Sequence, residues 1–310
     1  MSQMQNSSVS DPPVIVTGTQ RSGTTLLHHI LDCSSDIWSR NEMYSVHSLV
    51  FEERIRNRRS ELTKQLEEFL SVDLSSTSFT DTKQGRVDFL SRAMAMSATS
   101  HRKRRWCLKD PRASYFLQDY VETLPEARFV ITIRDPRAVC RSYMSPTGFV
   151  VGRPANWIAG AERWKREVTA QLRLQNDYPD RVLILRYEEI ITALEQQVDR
   201  ICEFLGIRPE PAMKNYYKRN SSITIHDGNA NILRPPDPSK IDAWRKSMTT
   251  AQTLAVESVA LPLMESLGYS AVHPYTPVNQ LSSIASRIHD RVVREYRWQR
   301  HKYKGRLNSV

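Results

Sequence analysis

Short apolar runs alternate with longer stretches in which apolar residues recur every three or four positions, through most of the chain. Val14–Val16 is the first run; it closes on Gly18, and Thr24–Leu31 then has helical spacing, with the helix reaching about Cys33. Ile37–Arg40 predicts a short second strand, and 43–70 a charged helical region with Leu49, Val50, Ile55, Leu62, Leu66 and Phe69 as buried positions. Ser71–Gln84 reads as a polar linker and Val87–Ser97 as helix. Trp106–Leu108 is a strand, Ala113–Thr123 a helix, and Arg128–Ile133 a continuous apolar strand of the kind buried on both faces. Pro136 opens a helix to Met144, since proline is favoured in a first turn. Pro146–Pro154 predicts a mobile loop, Trp157–Asn176 a long helix, Val182–Leu185 a strand, and the residues up to Phe204 more helix. The stretch 219–246 is long and irregular, which in a compact domain points to function or disorder. Thr249–Leu267, interrupted by Pro262, and Val278 to about Tyr303 are the last helices.

Strands separated by helices predict βαβ units, hence an α/β fold with a parallel sheet covered by helices on both faces. The 310 residues carry 40% hydrophobic and 25% charged side chains, enough for a sizeable core in a single domain. The formal net charge of +10 favours an anionic ligand without choosing between a nucleotide, a polyanion and a membrane surface. Residues 1–11 are polar and read as a disordered tail, without the basic and apolar blocks of a signal peptide. Cys33, Cys107, Cys140 and Cys202 are widely spaced in apolar surroundings, which predicts buried thiols in a reducing compartment. No clustered ligand pattern supports a metal. The basic run His101–Arg105 is read as a solvated loop before a strand.

The chemistry starts at Gly18-Thr19-Gln20-Arg21-Ser22-Gly23-Thr24-Thr25. Two glycines and a helix start can turn several backbone N–H groups toward one point, a site for a phosphate or another tetrahedral anion. The glycine spacing is that of a nucleotide P-loop, but the Lys that grips a triphosphate is missing and the cation comes earlier, at Arg21. A second constellation is Arg134 at a strand end and Ser142 eight residues on, in the following helix. A guanidinium fork and a hydroxyl converging there suit a phosphate dianion; Arg137 and Arg141 are read as surface or supporting residues.

The 18–25 loop closely resembles the 5′-phosphosulfate loop of the sulfotransferases, nearest to the tyrosylprotein and bacterial branches. That family uses 3′-phosphoadenosine 5′-phosphosulfate (PAPS) as sulfuryl donor on a P-loop-type sheet. The resemblance covers most of 14–245 and implies a sulfotransferase domain over 12–277. It implies donor binding by Arg21, Ser22, Gly23, Thr24 and Thr25, and 3′-phosphate binding by Arg134 and Ser142. Tyr187, in Arg186-Tyr187-Glu188, matches the tyrosine near the adenosine, with Glu188 and Glu189 flanking the next helix. Lys109, in Lys109-Asp110-Pro111, matches the lysine that approaches the sulfuryl group, and Glu42 the carboxylate that deprotonates the acceptor. Among alternative bases are His28 and His29 on the helix after the loop, His47 on a charged helix, and His101. Ser239 and Trp244 match a late segment that closes over the donor.

The implied reaction is in-line transfer to a hydroxyl or amine, with Glu42 as base and with Arg21 and Lys109 neutralising charge; the acceptor is read as a small metabolite or a glycolipid head group. No nucleic-acid partner is expected, and the polar N-terminus, unlike the anchored Golgi members, points to the cytoplasm. Two alternatives stand beside this reading: a nucleotide-dependent kinase, and a non-catalytic basic module that binds a polyanion. Residues 278–310 form a basic amphipathic helix. It is expected to dock through Leu281, Ile284, Ile288 and Val292, with a solvated basic face. A second reading sets that basic face near the acceptor entrance or an anionic membrane.

Overall fold

The computed structural model describes residues 11–40, 43, 46–52, 58–145, 152–219 and 230–307. Five strands, β1 (Val14–Gly18), β2 (Ile37–Arg40), β3 (Arg105–Lys109), β4 (Arg128–Ile133) and β5 (Val182–Arg186), make one sheet in the order β2-β3-β1-β4-β5. Every pairing is parallel; Val16 lies opposite both Lys109 and Val130, and Ile133 opposite Arg186. The α/β class and the parallel sheet read from the sequence are therefore the observed ones. Strand β1 is central, and its C-terminal end is where chain connections leave in opposite directions, the position at which open α/β sheets bind ligands.

Side chains of the central strands alternate between two cores. Ile15, Trp106, Leu108, Phe129 and Ile131 face a core built with the helices Val46–Phe51, Arg58–Leu70, Lys83–Ser100 and Leu117–Thr123. Val14, Val16, Cys107, Val130 and Leu185 face the helices Thr24–Asp32 and Leu194–Leu205. Burial on both faces explains why β4 reads as an unbroken apolar run. A third cluster joins Pro136–Met144, Trp157–Asp177 and Thr250–Ala260 around Trp164, which is fully buried.

Three readings need correction. Arg105 is not in a solvated loop: it starts β3, is buried, and donates to the Leu205 carbonyl at 2.8 Å. Lys103 donates to Ser34 O at 2.7 Å and Arg104 pairs with Asp36 at 3.0 Å, so the run clamps its neighbours. Of the two readings of Arg137, the supporting one holds and the surface one does not. The residue is buried between Asp135 and Glu257, each at 2.7 Å, and donates to Ser270 O at 3.0 Å. This ties the Pro136–Met144 helix to Thr250–Ala260.

The third correction concerns the C-terminal helix, Gln280–Leu307. It does not dock through its apolar stripe: Leu281, Ile284, Ile288 and Val292 are 81, 51, 60 and 62% exposed. The docked side is polar. Ser283 donates to Glu162 at 2.6 Å and Ser286 to Asn156 at 2.6 Å, while Asp290 accepts from Ala155 N at 2.6 Å.

His28, on the helix beneath β1 and β3, is 1% exposed, and neither ring nitrogen has a hydrogen-bond partner. Burial, and then the charge of Lys109, push its pKa well below 6.5.

Two stability predictions follow from these buried groups. Glu257→Ala removes one of the two carboxylates that hold the buried Arg137 charge, leaves only Asp135 beside it, and strips the acceptor from Val272 N and His273 N. It should cost roughly 3–5 kcal/mol in urea unfolding, and a loss near zero would show that Asp135 alone satisfies Arg137. For His28, the unfolded imidazole protonates near its ordinary value of 6.5 while the buried one resists. The unfolded state then binds more protons below that pH, so stability falls on acidification. His28→Leu should flatten the slope between pH 6.5 and 5 by up to about 1.4 kcal/mol per pH unit; parallel curves for variant and wild type would contradict this.

Candidate active site

The loop between β1 and the Thr24–Asp32 helix is folded tightly at the C-terminal end of the central strand. Ser22 N donates to Thr19 O at 3.0 Å, and Arg21 and Gly23 take positive φ values of 75° and 96°. Gly23 is forced by its surroundings as well as by its backbone: a Cβ there would lie 2.3 Å from the Tyr187 ring. With Gly23 as the left-handed N-cap, the helix begins at Thr24 and leaves its first N–H groups facing the loop. Gly18 meets β4 as closely, since a Cβ there would lie 2.4 Å from Thr132 O.

Four of the residues singled out in the sequence meet around this loop. Arg21 Nε donates to Ser142 Oγ at 2.7 Å, although the two are far apart in the chain. Arg134 Nη1 donates to Arg21 O at 3.3 Å, and its guanidinium lies 4.1 Å from the centre of the Tyr187 ring. Tyr187 in turn covers Gly23. The supports are visible. Trp164 Nε1 donates to Arg134 O at 2.9 Å. Asp135 caps the Ser142 helix, accepting from Arg137 N at 2.8 Å. Glu188 does more than flank its helix: it accepts from Asp135 N at 3.1 Å and from the Tyr269 hydroxyl at 2.9 Å. Burial raises its pKa, against the hydrogen bond from Asp135 N.

The loop's polar atoms suit an anionic guest. The Thr19 and Ser22 hydroxyls and Arg134 Nε are buried without hydrogen-bond partners. Thr24 is buried at the helix start, Thr25 is half-buried, and Arg21 is exposed at the rim. Two cations, orphaned hydroxyls and a helix N-terminus at the C-terminal end of the sheet form a phosphate-type cradle.

The remaining residues fall into two groups. Lys109 ends β3, beside β1, and is 2% exposed. Its neighbour Asp110 caps the Pro111–Tyr115 turn, accepting from Arg112 N at 2.7 Å. Asp110 Oδ2 also lies 2.8 Å from His47 Nε2, and His47 Nδ1 is 2.6 Å from the Tyr120 hydroxyl. Burial would raise the Asp110 pKa, but the adjoining His47 ring, the hydrogen bond from Arg112 N and the charge of Lys109 together hold the carboxyl low. His47 is thus fully buried, which the charge of its surrounding sequence hides. The His47–Asp110 pair was not anticipated; a capping aspartate directly after a strand-end lysine is the signal that could have exposed it. Glu42 lies outside the described residues; β2 ends at Arg40, opposite Leu108.

The late segment lies beside these elements: the Pro238–Lys240 turn packs near the Tyr187–Thr192 helix and the Ala243–Ser247 helix near Pro136–Met144. Ser239, on the Pro238–Lys240 turn, donates to Asp237 at 2.6 Å and is exposed. Trp244 is 2% exposed, with the Arg137 guanidinium 4.0 Å from its ring centre, and so anchors its own helix. Among the described residues no cluster of His, Cys, Asp and Glu could hold a metal ion. Nor is any described helix long and apolar enough to cross a membrane.

Comparison with known proteins agrees with this geometry. The model of the sulfotransferase family matches residues 12–211. Protein-tyrosine sulfotransferase A of Caenorhabditis elegans is 23% identical over 269 residues, covering 84% of this chain and 68% of its own. Nodulation protein NoeE of Sinorhizobium fredii is 28% identical over 296 residues, covering 84% of this chain and 67% of its own. Among solved structures, the sulfotransferase domain from the curacin biosynthetic pathway superposes with a TM-score of 0.60 at 18% identity, over 84% of this chain and 98% of that one. The kinase and the non-catalytic readings fall with these matches. The chain belongs to the sulfotransferase family and is an enzyme whose sulfuryl donor is PAPS.

Proposed function

We infer that the enzyme transfers the sulfuryl group of PAPS to a hydroxyl or amine of a small metabolite or glycolipid head group in the cytoplasm. The observation that carries the site assignment is the meeting of Arg21, Gly23, Arg134, Ser142 and Tyr187 at the ends of β1, β4 and β5. The loop amides from Ser22 to Thr25 hold the 5′-phosphate, and Arg134 with Ser142 the 3′-phosphate. Tyr187 borders the adenosine, and the segment with Ser239 and Trp244 closes over it. PAPS brings an activated sulfuryl group. Arg21 and Lys109 concentrate positive charge where negative charge develops, and Glu42 takes the acceptor's proton. His47 is a poorer base, because both its ring nitrogens face partners in the interior. All four cysteines are free and buried, which suits a reducing compartment. The acceptor class is open to a screen of metabolite and glycolipid fractions with sulfur-labelled PAPS; label passing only to protein tyrosines would replace it.

The donor assignment is tested by calorimetry. Arg134→Ala should weaken adenosine 3′,5′-bisphosphate binding about ten- to a hundredfold, the equivalent of roughly 1.5–3 kcal/mol for a charged hydrogen bond. Ser142→Ala should weaken it less. Adenosine 5′-phosphosulfate has no 3′-phosphate and should be nearly indifferent to the Arg134 change; equal losses for both nucleotides would remove Arg134 from the 3′ site. The base is tested separately. Glu42→Gln should lower turnover by about 10²–10⁴ with donor affinity nearly unchanged, and near-normal turnover would move the proton to another group.

A further inference from the structure

The C-terminal helix is docked with its polar side inward. The residues that turn toward the domain, Ser283, Ser286, Asp290, Val293 and Arg297, recur at three- and four-residue steps and form a seam. Opposite this seam runs the equally regular stripe Leu281, Ile284, Ile288 and Val292, each more than half exposed. Tyr296 and Trp298 extend the exposed apolar surface by another turn, at 64 and 46%. A helix that only covered a domain would face the other way round, because burial of the stripe is the favourable term. The polar seam is specific: Glu162 meets both Ser283 and Arg287, and Asn156 bonds Ser286 O and the Ser286 hydroxyl. The stripe is therefore held outward by the fold.

Charge selects what covers it. Between 280 and 307 the helix carries eight Lys and Arg against two Asp and Glu. Arg287, Arg291 and Arg294 follow one border of the stripe at helical spacing. A second copy of the same helix would bring like charges together along that border. A surface that offers apolar depth below a layer of negative charge meets both features at once, and indole and phenol rings favour its boundary. We propose that the outward face of the Gln280–Leu307 helix docks on an anionic lipid bilayer, lying in the plane of its headgroups and not crossing it.

The test uses the full chain and sedimentation with sucrose-loaded vesicles. Wild type should pellet with phosphatidylcholine vesicles containing phosphatidylserine, release as salt rises, and stay in solution with pure phosphatidylcholine. The double change Ile288→Ser/Val292→Ser should reduce binding more than tenfold, and Arg291→Ala/Arg294→Ala by roughly tenfold or more. Melting temperature and adenosine 3′,5′-bisphosphate affinity should match wild type for both, which separates lost docking from lost folding. Since the native cysteines are buried, Val292→Cys can be labelled selectively with an environment-sensitive dye, whose emission should shift to the blue on anionic vesicles alone. Failure of wild type to pellet, undiminished binding by Ile288→Ser/Val292→Ser, or a concentration-dependent dimer abolished by that variant in place of vesicle binding would each overturn the proposal.

Discussion

A single missing side chain sets the spacing of the site. At Gly23 even one carbon would lie 2.3 Å from the Tyr187 ring, so β5's first helix can approach the β1 loop only because nothing projects there. The approach places the Tyr187 ring on the loop and the Arg134 guanidinium on the ring. Arg134 then reaches the Arg21 carbonyl, and Arg21 reaches Ser142. Three strand ends that are remote in sequence become one surface by successive contacts. Gly18 performs the same service one step earlier, letting β1 close on Thr132.

The interior behind that surface is occupied by charges, and they are organised. Arg137 is held by two carboxylates and an aromatic face, and it joins the helix carrying Ser142 to a helix more than a hundred residues later. Asp135 and Glu188 link β4's exit to β5's exit. On the other side of β1, Asp110 and His47 fix the exit of β3 next to Lys109. Such pairs add little net stability, because desolvation offsets their attraction, but removal of either partner is costly. Their effect here is geometric: each fixes the backbone where a strand turns into a loop.

Much of this was legible in the sequence, for a physical reason. Strand β4 and the helix after it match the apolar run Arg128–Ile133 and the Pro136 start, because a doubly buried strand and a proline N-terminus leave strong local signals. Gly18, Arg21 and Gly23 are readable since loop chemistry is encoded in adjacent residues. What depends on partners was not. Arg137 and His47 look like surface residues beside charged neighbours, and only the fold supplies the groups that bury them. Ala113–Thr123, expected as one helix, is a 3-10 turn followed by a helix, since Asp110 caps a tighter turn first. The C-terminal helix shows the opposite error: its period was correct and its orientation inverted, because periodicity finds an apolar face without saying what it meets.

The position of β1 has a consequence for how the molecule is made. Its neighbours, β3 and β4, lie roughly ninety to over one hundred residues downstream, and both must pair with it. A chain emerging from the ribosome delivers its glycine loop early, yet has nothing to pair the strand with until residue 109 has followed, and lacks its second neighbour until residue 133. Long-range parallel pairing of this kind is slow and leaves an apolar strand edge waiting. The loop is thus the earliest part of the site to be synthesised and among the last to acquire its shape.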